Sequence, residues 1–362
     1  MLRLNRKTIS GKLTTFWMIT RYADVREVLS SPHLSNRMDP NEAALNRPGV
    51  LPALDPPDHT RVRRMLTREF TVKRMNALRP RVEEIVDRFL GDMVAAGPPT
   101  DLMQAFALPV PSLVICELLG VPYEENAYFQ QLSVRLLDPE VTGAANAENS
   151  RRLTSFMADL VARHRKTPGD DILSSLIREY GAEVSDDELI GMGTILLLAG
   201  HETTANTIGL GILLLSQHPE QLALVRDDPG VLRTAVEEIL RYLSIVNTGV
   251  PKRVTKDIMV AGQLIPAGDL LMVSLPSANR DESVLPAANV FDVTRSPGAH
   301  VAFGHGIHQC LGQQLARMEL AVALPALLKR LPNLRPAVAE SELPFRSESA
   351  VNGLHQFPVT WG

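Results

Sequence analysis

The segment Phe303-Gly304-His305-Gly306-Ile307-His308-Gln309-Cys310-Leu311-Gly312 sets one cysteine in a glycine-rich loop ahead of an apolar-periodic helix. A thiolate is a soft metal ligand, and the free N–H groups and dipole of a following helix favour its negative charge. Glycines at 304, 306 and 312 let the backbone take positive φ or approach a flat ligand closely. The pattern points to a thiolate presented to a metal-containing cofactor. Cys116, the second of two cysteines, lies among apolar neighbours and reads as a buried structural thiol. Neither cysteine sits in a C-x-x-C pair, so zinc and disulfide frameworks are excluded.

A second place for chemistry lies inside the longest apolar segment, Leu189 to Leu215, which His201, Glu202, Thr203, Thr204 and Asn206 interrupt at its centre. A membrane span needs roughly 20 uninterrupted apolar residues. The segment therefore predicts a buried helix whose central polar groups face an internal cavity. An acid beside an alcohol can relay protons, and a threonine bonded back to a carbonyl one turn earlier loosens a helix. A zinc site of the form His-Glu-x-x-His fails, because Ala205 stands where the second histidine belongs. His59 and Arg63 are four apart and share a helix face. Glu238 and Arg241 are three apart and can pair side by side. Arg61, Arg64 and Arg68 fall near the face opposite His59, a basic stripe suited to solvation or to docking an acidic partner.

The elements that must position these residues are mostly helical. Helices are predicted over His59–Phe70, Val72–Ala96, Leu113–Leu119, Ala147–Arg165, Asp186–Gln217, Pro219–Asp227, Val231–Leu243 and Leu311–Arg330, with another over Ala23–Leu29. Short strands are predicted at Phe16–Thr20, Met259–Val260 and Leu270–Ser274, and residues 31–57 read as a long Pro- and Asn-rich loop. The class is mainly α with a minor β part. A hydrophobic content of 45% with 22% charged residues suits a well-cored soluble protein, and a net charge of −4 gives no reason to expect nucleic acid. The basic amino terminus lacks an apolar signal core, which predicts a cytoplasmic protein without membrane association.

With these motifs the chain resembles the cytochrome P450 family, and the likeness runs from about Phe16 to Val359-Thr360-Trp361. The resemblance implies the cytochrome P450 fold, a single domain over residues 1–362 with a shortened N-terminal helical segment, and haem b as cofactor. Cys310 is then the axial ligand of the haem iron, pushing electron density toward O–O cleavage. Phe303 and Gly304 belong to the loop around the sulfur, while His308, His59 and Arg63 meet the haem propionates. Ala199 and Gly200 form the small pair that lets the long helix pass over the haem, and Glu202 with Thr203 forms the catalytic acid–alcohol pair. Glu238-Ile239-Leu240-Arg241 matches the family's E-x-x-R motif, and Arg295 matches the second arginine of a buried ion network with a folding role. Lys252 stands where the family usually has a propionate-binding arginine, and Arg253 follows it; lysine lacks the bidentate fork, and which of the two reaches haem is open.

No flavin or iron–sulfur signature is present, since the Gly209 and Gly211 pair lacks a third glycine and lies in an apolar helix. Electrons must come from other proteins, which the resemblance identifies as a ferredoxin and a nicotinamide-dependent ferredoxin reductase. The implied activity is insertion of one oxygen atom from O2 into a small lipophilic substrate by a monomeric enzyme, most simply as hydroxylation. Epoxidation, oxidative coupling and peroxide-dependent oxidation on the same scaffold, and a haem-binding sensor without turnover, are the alternatives. Substrate contacts are expected from residues 34–54, 123–160, 195–199, 244–250 and 351–352.

Overall fold

The structure is a computed structural model and describes residues 2–7, 13–37, 47–125, 128, 132, 143–247, 251–296, 298–346 and 351–362. Parts of the expected substrate-contact segments 34–54, 123–160 and 244–250 lie outside the described residues. Two strands, β1 (Leu2–Lys7) and β2 (Leu13–Ile19), open the chain as an antiparallel pair with Leu2 opposite Met18. The sequence reading anticipated only the second of them. Helix α1 (Tyr22–Ser30) buries Tyr22, Val25 and Val28, and β3 (Leu34–Ser35) follows inside the stretch expected to be loop.

Helix α2 (Asp58–Thr67) continues as a tight turn over Arg68–Phe70, and Thr71 then caps α3 (Val72–Ala96), accepting from Arg74 N. After β4 (Thr100–Asp101) and a wide turn at Met103–Ala107, α4 (Pro109–Leu119) begins at a proline, four residues earlier than its apolar period suggested. Then come α5 (Gly143–Lys166) and α6 (Ile172–Tyr180), the latter not anticipated. Its signal is Asp171, which accepts from Ser174 N ahead of an apolar turn.

The long helix α7 (Asp186–Ser216) starts in a capping box, in which Ser185 Oγ accepts from Glu188 N while Glu188 Oε2 accepts from Ser185 N. It is buried nearly all round and packs on α4 and α5. Next follow α8 (Pro219–Asp227) and α9 (Leu232–Leu243), also against α7. Strand β5 (Lys252–Val254), the hairpin β6 (Ile258–Val260) and β7 (Gln263–Ile265), and β8 (Leu270–Val273) lead to the short α10 (Leu275–Asn279). Helix α11 (Gln313–Arg330) packs on α3 and α7, and β9 (Arg335–Pro336) and β10 (Pro358–Thr360) end the chain.

The main sheet has the order β1-β2-β8-β5-β3, with β8 parallel to β2, and β10 joins β4 and β9 in a second sheet. A large helical core surrounds α7, and a smaller one lies between α1, α10 and the main sheet. Among the described residues no helix is long and apolar enough to cross a membrane.

One buried acid marks the contact of α11 with α7. Glu319 is 1% exposed, and among the described residues neither of its carboxyl oxygens has a hydrogen bond of good geometry. Burial pushes it up to about 8, and the Thr204 hydroxyl close by offsets this only in part. The folded protein therefore keeps a proton that the unfolded chain releases near the ordinary value of 4.5. Its contribution is complete below that value and is lost as pH rises toward about 8. Stability is expected to fall by about 2 kcal/mol from this group between pH 6 and 7.5. Glu319→Gln should flatten that decline, which urea unfolding at the two pH values would measure.

Candidate active site

The cysteine loop is held by its own backbone before any side chain acts. Gly304 N donates to Val301 O (2.8 Å), Gln309 N to Gly306 O (3.1 Å), and Cys310 N back to Phe303 O (2.9 Å). Gly306 has φ +74°, and a Cβ there would lie 2.3 Å from Leu29 O, so glycine alone fits. Helix α11 starts at Gln313 with Gly312 at its N-cap, two residues later than the Leu311 start the sequence suggested, and Cys310 precedes it. The thiol borders open space yet is crowded by protein on its other sides. Burial pushes its pKa up, against the Gly312 N–H and the guanidinium groups of Arg63 and Arg317.

A bracket that sequence reasoning missed supports this loop from behind. The Arg317 guanidinium lies 4.6 Å from the centre of the Phe303 ring, and its Nε donates to Glu237 Oε1 (2.6 Å). His300 Nε2 lies 2.9 Å from Glu237 Oε2. Burial alone would raise Glu237, but the hydrogen bonds from His300 and Arg317 win and bring it to about 2. The signal in the chain was Arg317 on the inner face of α11, two turns past the cysteine.

His59, Arg63, His308 and Lys252, predicted from separate motifs, come together. His59 is 2% exposed, neither ring nitrogen has a hydrogen-bond partner among the described residues, and its ring centroid lies 4.2 Å from that of His308. Burial and the neighbouring Arg63 lower the pKa of His59, and burial, His59 and Lys252 bring His308 to about 3. Burial likewise brings Lys252 to about 8. Strand alternation separates Lys252 from Arg253: in β5, Lys252 and Val254 are buried on one face while Arg253, part-buried, lies on the other. Lys252 Nζ donates to Asn36 Oδ1. Buried donors without an acceptor fit the two carboxylates of a haem.

Midway along α7, Ala199 is exposed although Leu197, His201 and Glu202 are buried, so the helix has one open side there. Thr203 Oγ1 donates to Ala199 O at 3.0 Å, the back-bond that its position suggested. Gly200 does something other than expected. A Cβ on it would lie 2.8 Å from Ile115 Cγ1, so its bareness serves the packing of α7 on α4, and Ala199 is the small residue on the open side. Glu202 is buried, and its Oε1 accepts from Arg346 Nη1, a partner 144 positions away that no local pattern could reveal. Burial raises Glu202, and Arg346 pulls it back toward the charged form.

Glu238, Arg241 and Arg295 form the expected buried network. Arg241 holds both Glu238 oxygens at 2.7 and 2.8 Å and donates to Asn279 O and Ala288 O, each at 2.8 Å. Arg295 Nε reaches Glu238 Oε1 at 3.3 Å. The basic stripe is less free than the sequence implied: Arg61 pairs with Glu188 and Arg68 with Glu179. Arg64 and Arg68 border a surface depression of about 520 Å³ that Gly306 and Ile307 of the cysteine loop also line.

Comparison with known proteins agrees with this arrangement. The family description Cytochrome P450 matches residues 8–228 and 230–344. The chain is 45% identical over 358 residues to Cytochrome P450-SU2 of Streptomyces griseolus, covering 95% of this chain and 87% of that protein. It is 44% identical over 357 residues to Vitamin D3 dihydroxylase of the same organism, covering 95% and 87%. To Pentalenic acid synthase of Streptomyces avermitilis it is 45% identical over 357 residues, covering 95% and 88%. The solved structure of CYP105P1 in complex with filipin I aligns with a TM-score of 0.92 at 39% identity, over 99% of this chain and 92% of that one. With the family match spanning nearly the whole length, and that fold shared, the chain belongs to the cytochrome P450 family and is a haem-binding monooxygenase.

Proposed function

We propose that this enzyme hydroxylates a small lipophilic molecule, with Cys310 as the axial ligand of haem iron and with electrons supplied by a ferredoxin and its nicotinamide-dependent reductase. The observation that carries the reading is the cluster in which buried His59, both ring nitrogens without a partner among the described residues, stands beside buried Lys252 and part-buried His308 and Arg63. These four residues would hold the haem propionates, Lys252 rather than Arg253 taking the role of the family's arginine. Phe303 and Gly304 shape the loop beneath the sulfur. Bound haem supplies the activation of O2; the protein supplies orientation, water control and protons. Thr203 offers a hydroxyl on the open side of α7, and Glu202, next to it in sequence, is the acid that passes protons inward.

A lipophilic substrate is supported by the apolar residues Ile195, Leu196 and Ala199, which are part-buried or exposed on α7, and by the name of the relative Vitamin D3 dihydroxylase. The ferredoxin is supported by the depression beside the cysteine loop. Arg64 lies on its rim, and Ile307 is 51% exposed within it, a basic and apolar mixture that suits an acidic protein surface. Haem-loaded protein titrated with vitamin D3 is expected to shift its spin state and, with ferredoxin, reductase and nicotinamide, to release a hydroxylated product. Product formed with hydrogen peroxide but not with the redox proteins would overturn the donor assignment. A lipophilic panel, vitamin D3 included, that produces no spin shift and no product would overturn the substrate assignment.

A further inference from the structure

Glu202 is enclosed in a way the acid–alcohol pair alone does not explain. Its side chain is 8% exposed and that of its ion-pair partner, Arg346, is 10% exposed. Arg346 Nε is itself buried with no hydrogen-bond partner among the described residues, so Glu202 is the anion that compensates this guanidinium. Arg346 does not hang from a loose tail. Its backbone N donates to Gly353 O (2.9 Å), and Phe345 bridges Leu354, closing the base of a hairpin. The far limb is fixed in turn. Asn352 N donates to Ile245 O (2.7 Å), Asn352 and Asn247 exchange side-chain hydrogen bonds at 2.6 and 2.7 Å, and Val351 bridges Val246. Gly353 presses on α7 so closely that a Cβ would sit 1.9 Å from Asn206 Oδ1, and Asn206 Nδ2 donates to Glu202 O (2.9 Å). Both the carboxylate and the backbone of Glu202 are thus referenced to one anchored hairpin.

We infer that Arg346 is a positioning residue for the reaction, holding the Glu202 carboxylate charged and in one orientation so that it can accept and pass on protons. The inference rests on the reading of Glu202 as the proton-handling acid. Without the guanidinium, a buried carboxyl favours its neutral form and has no fixed direction. Lysine can restore the charge but not the planar fork.

The test uses haem-loaded wild type, Arg346→Gln, Arg346→Lys, Glu202→Gln and the double variant Arg346→Gln/Glu202→Gln, each first checked for an unchanged carbon-monoxide spectrum. With ferredoxin, reductase and vitamin D3 as probe, nicotinamide consumption, its solvent deuterium isotope effect and the share lost to peroxide are measured. Infrared difference spectra against Glu202→Gln report the ionisation of Glu202 without any turnover. Glu202→Gln should slow consumption by about 100-fold. Arg346→Gln should slow it by about tenfold, enlarge the isotope effect, raise the peroxide share and turn the carboxylate band into a protonated one; Arg346→Lys should recover part of each. In the Glu202→Gln background, Arg346→Gln should add nothing. If Glu202→Gln behaves as wild type, the reading of the acid fails. If Glu202→Gln is impaired while Arg346→Gln keeps the carboxylate band and the wild-type isotope effect, or adds its full loss to the double variant, the role of Arg346 fails. Should Arg346→Gln not accumulate, the infrared and isotope readouts on Arg346→Lys decide.

Discussion

Cys310→Ser is expected to abolish the strongly red-shifted Soret band of the reduced carbon-monoxide complex and to lower monooxygenation by on the order of 10³-fold or more. The loop supplies the reason. Cys310 N is tied to Phe303 O, the Gly312 N–H and the Arg63 and Arg317 guanidinium groups all favour a negative sulfur, and Glu237 fixes Arg317 in place. A serine hydroxyl in this setting is a harder and far weaker donor, and it stays protonated where a thiol would not. The basic cluster of His59, His308, Arg63 and Lys252 is untouched by the change, so haem content should persist while the spectral signature disappears. A retained red-shifted band in haem-loaded Cys310→Ser would overturn the assignment of the axial ligand.

The second large effect is on folding. Arg241→Ala should destabilise the protein by about 3–5 kcal/mol, because it leaves the buried Glu238 carboxylate with only the Asp292 N–H (3.0 Å) and the longer contact to Arg295 (3.3 Å). It also leaves the carbonyls of Asn279 and Ala288 without their donor. Arg241→Lys keeps the charge but not the fork, and should recover a minor part of the loss. Replacing both partners, as in Glu238→Met with Arg241→Met, should cost less than Arg241→Ala alone, since no buried carboxylate is stranded and Arg295, part-buried, still donates to the carbonyls of Pro286, Ala287 and Val290. Denaturant unfolding of the four proteins measures each value; a loss under about 1 kcal/mol for Arg241→Ala would show the network to be dispensable.

What the sequence disclosed follows the range over which each interaction acts. The Cys310 loop was legible because turn glycines, ligand and following helix are contiguous, and α3, α7 and α8 were legible because caps and apolar period agree along them. The short α6 was passed over although Asp171 marks its start and Ile172, Leu173, Leu176 and Ile177 recur at helical spacing. Lys252 and Arg253 could not be separated until β5 was paired on both sides, which fixes which face of the strand is interior. Arg346 and Glu319 were beyond sequence reading for a plainer reason. Each matters through a residue on α7 more than a hundred positions away, and no local spacing encodes such a meeting.

The bare face of Gly200 against Ile115 carries a consequence for how this enzyme could change its substrate. Where α7 stands is gauged from its rear by a side chain on α4 that meets no reactant, and a single hydrogen atom is all the clearance between them. Trimming Ile115 gives the helix room to recede, and adding bulk behind it pushes Ala199 and Thr203 forward. The position of that open face is thus a dimension inherited from ordinary helix packing, open to adjustment from outside the site without altering any residue that takes part in the chemistry.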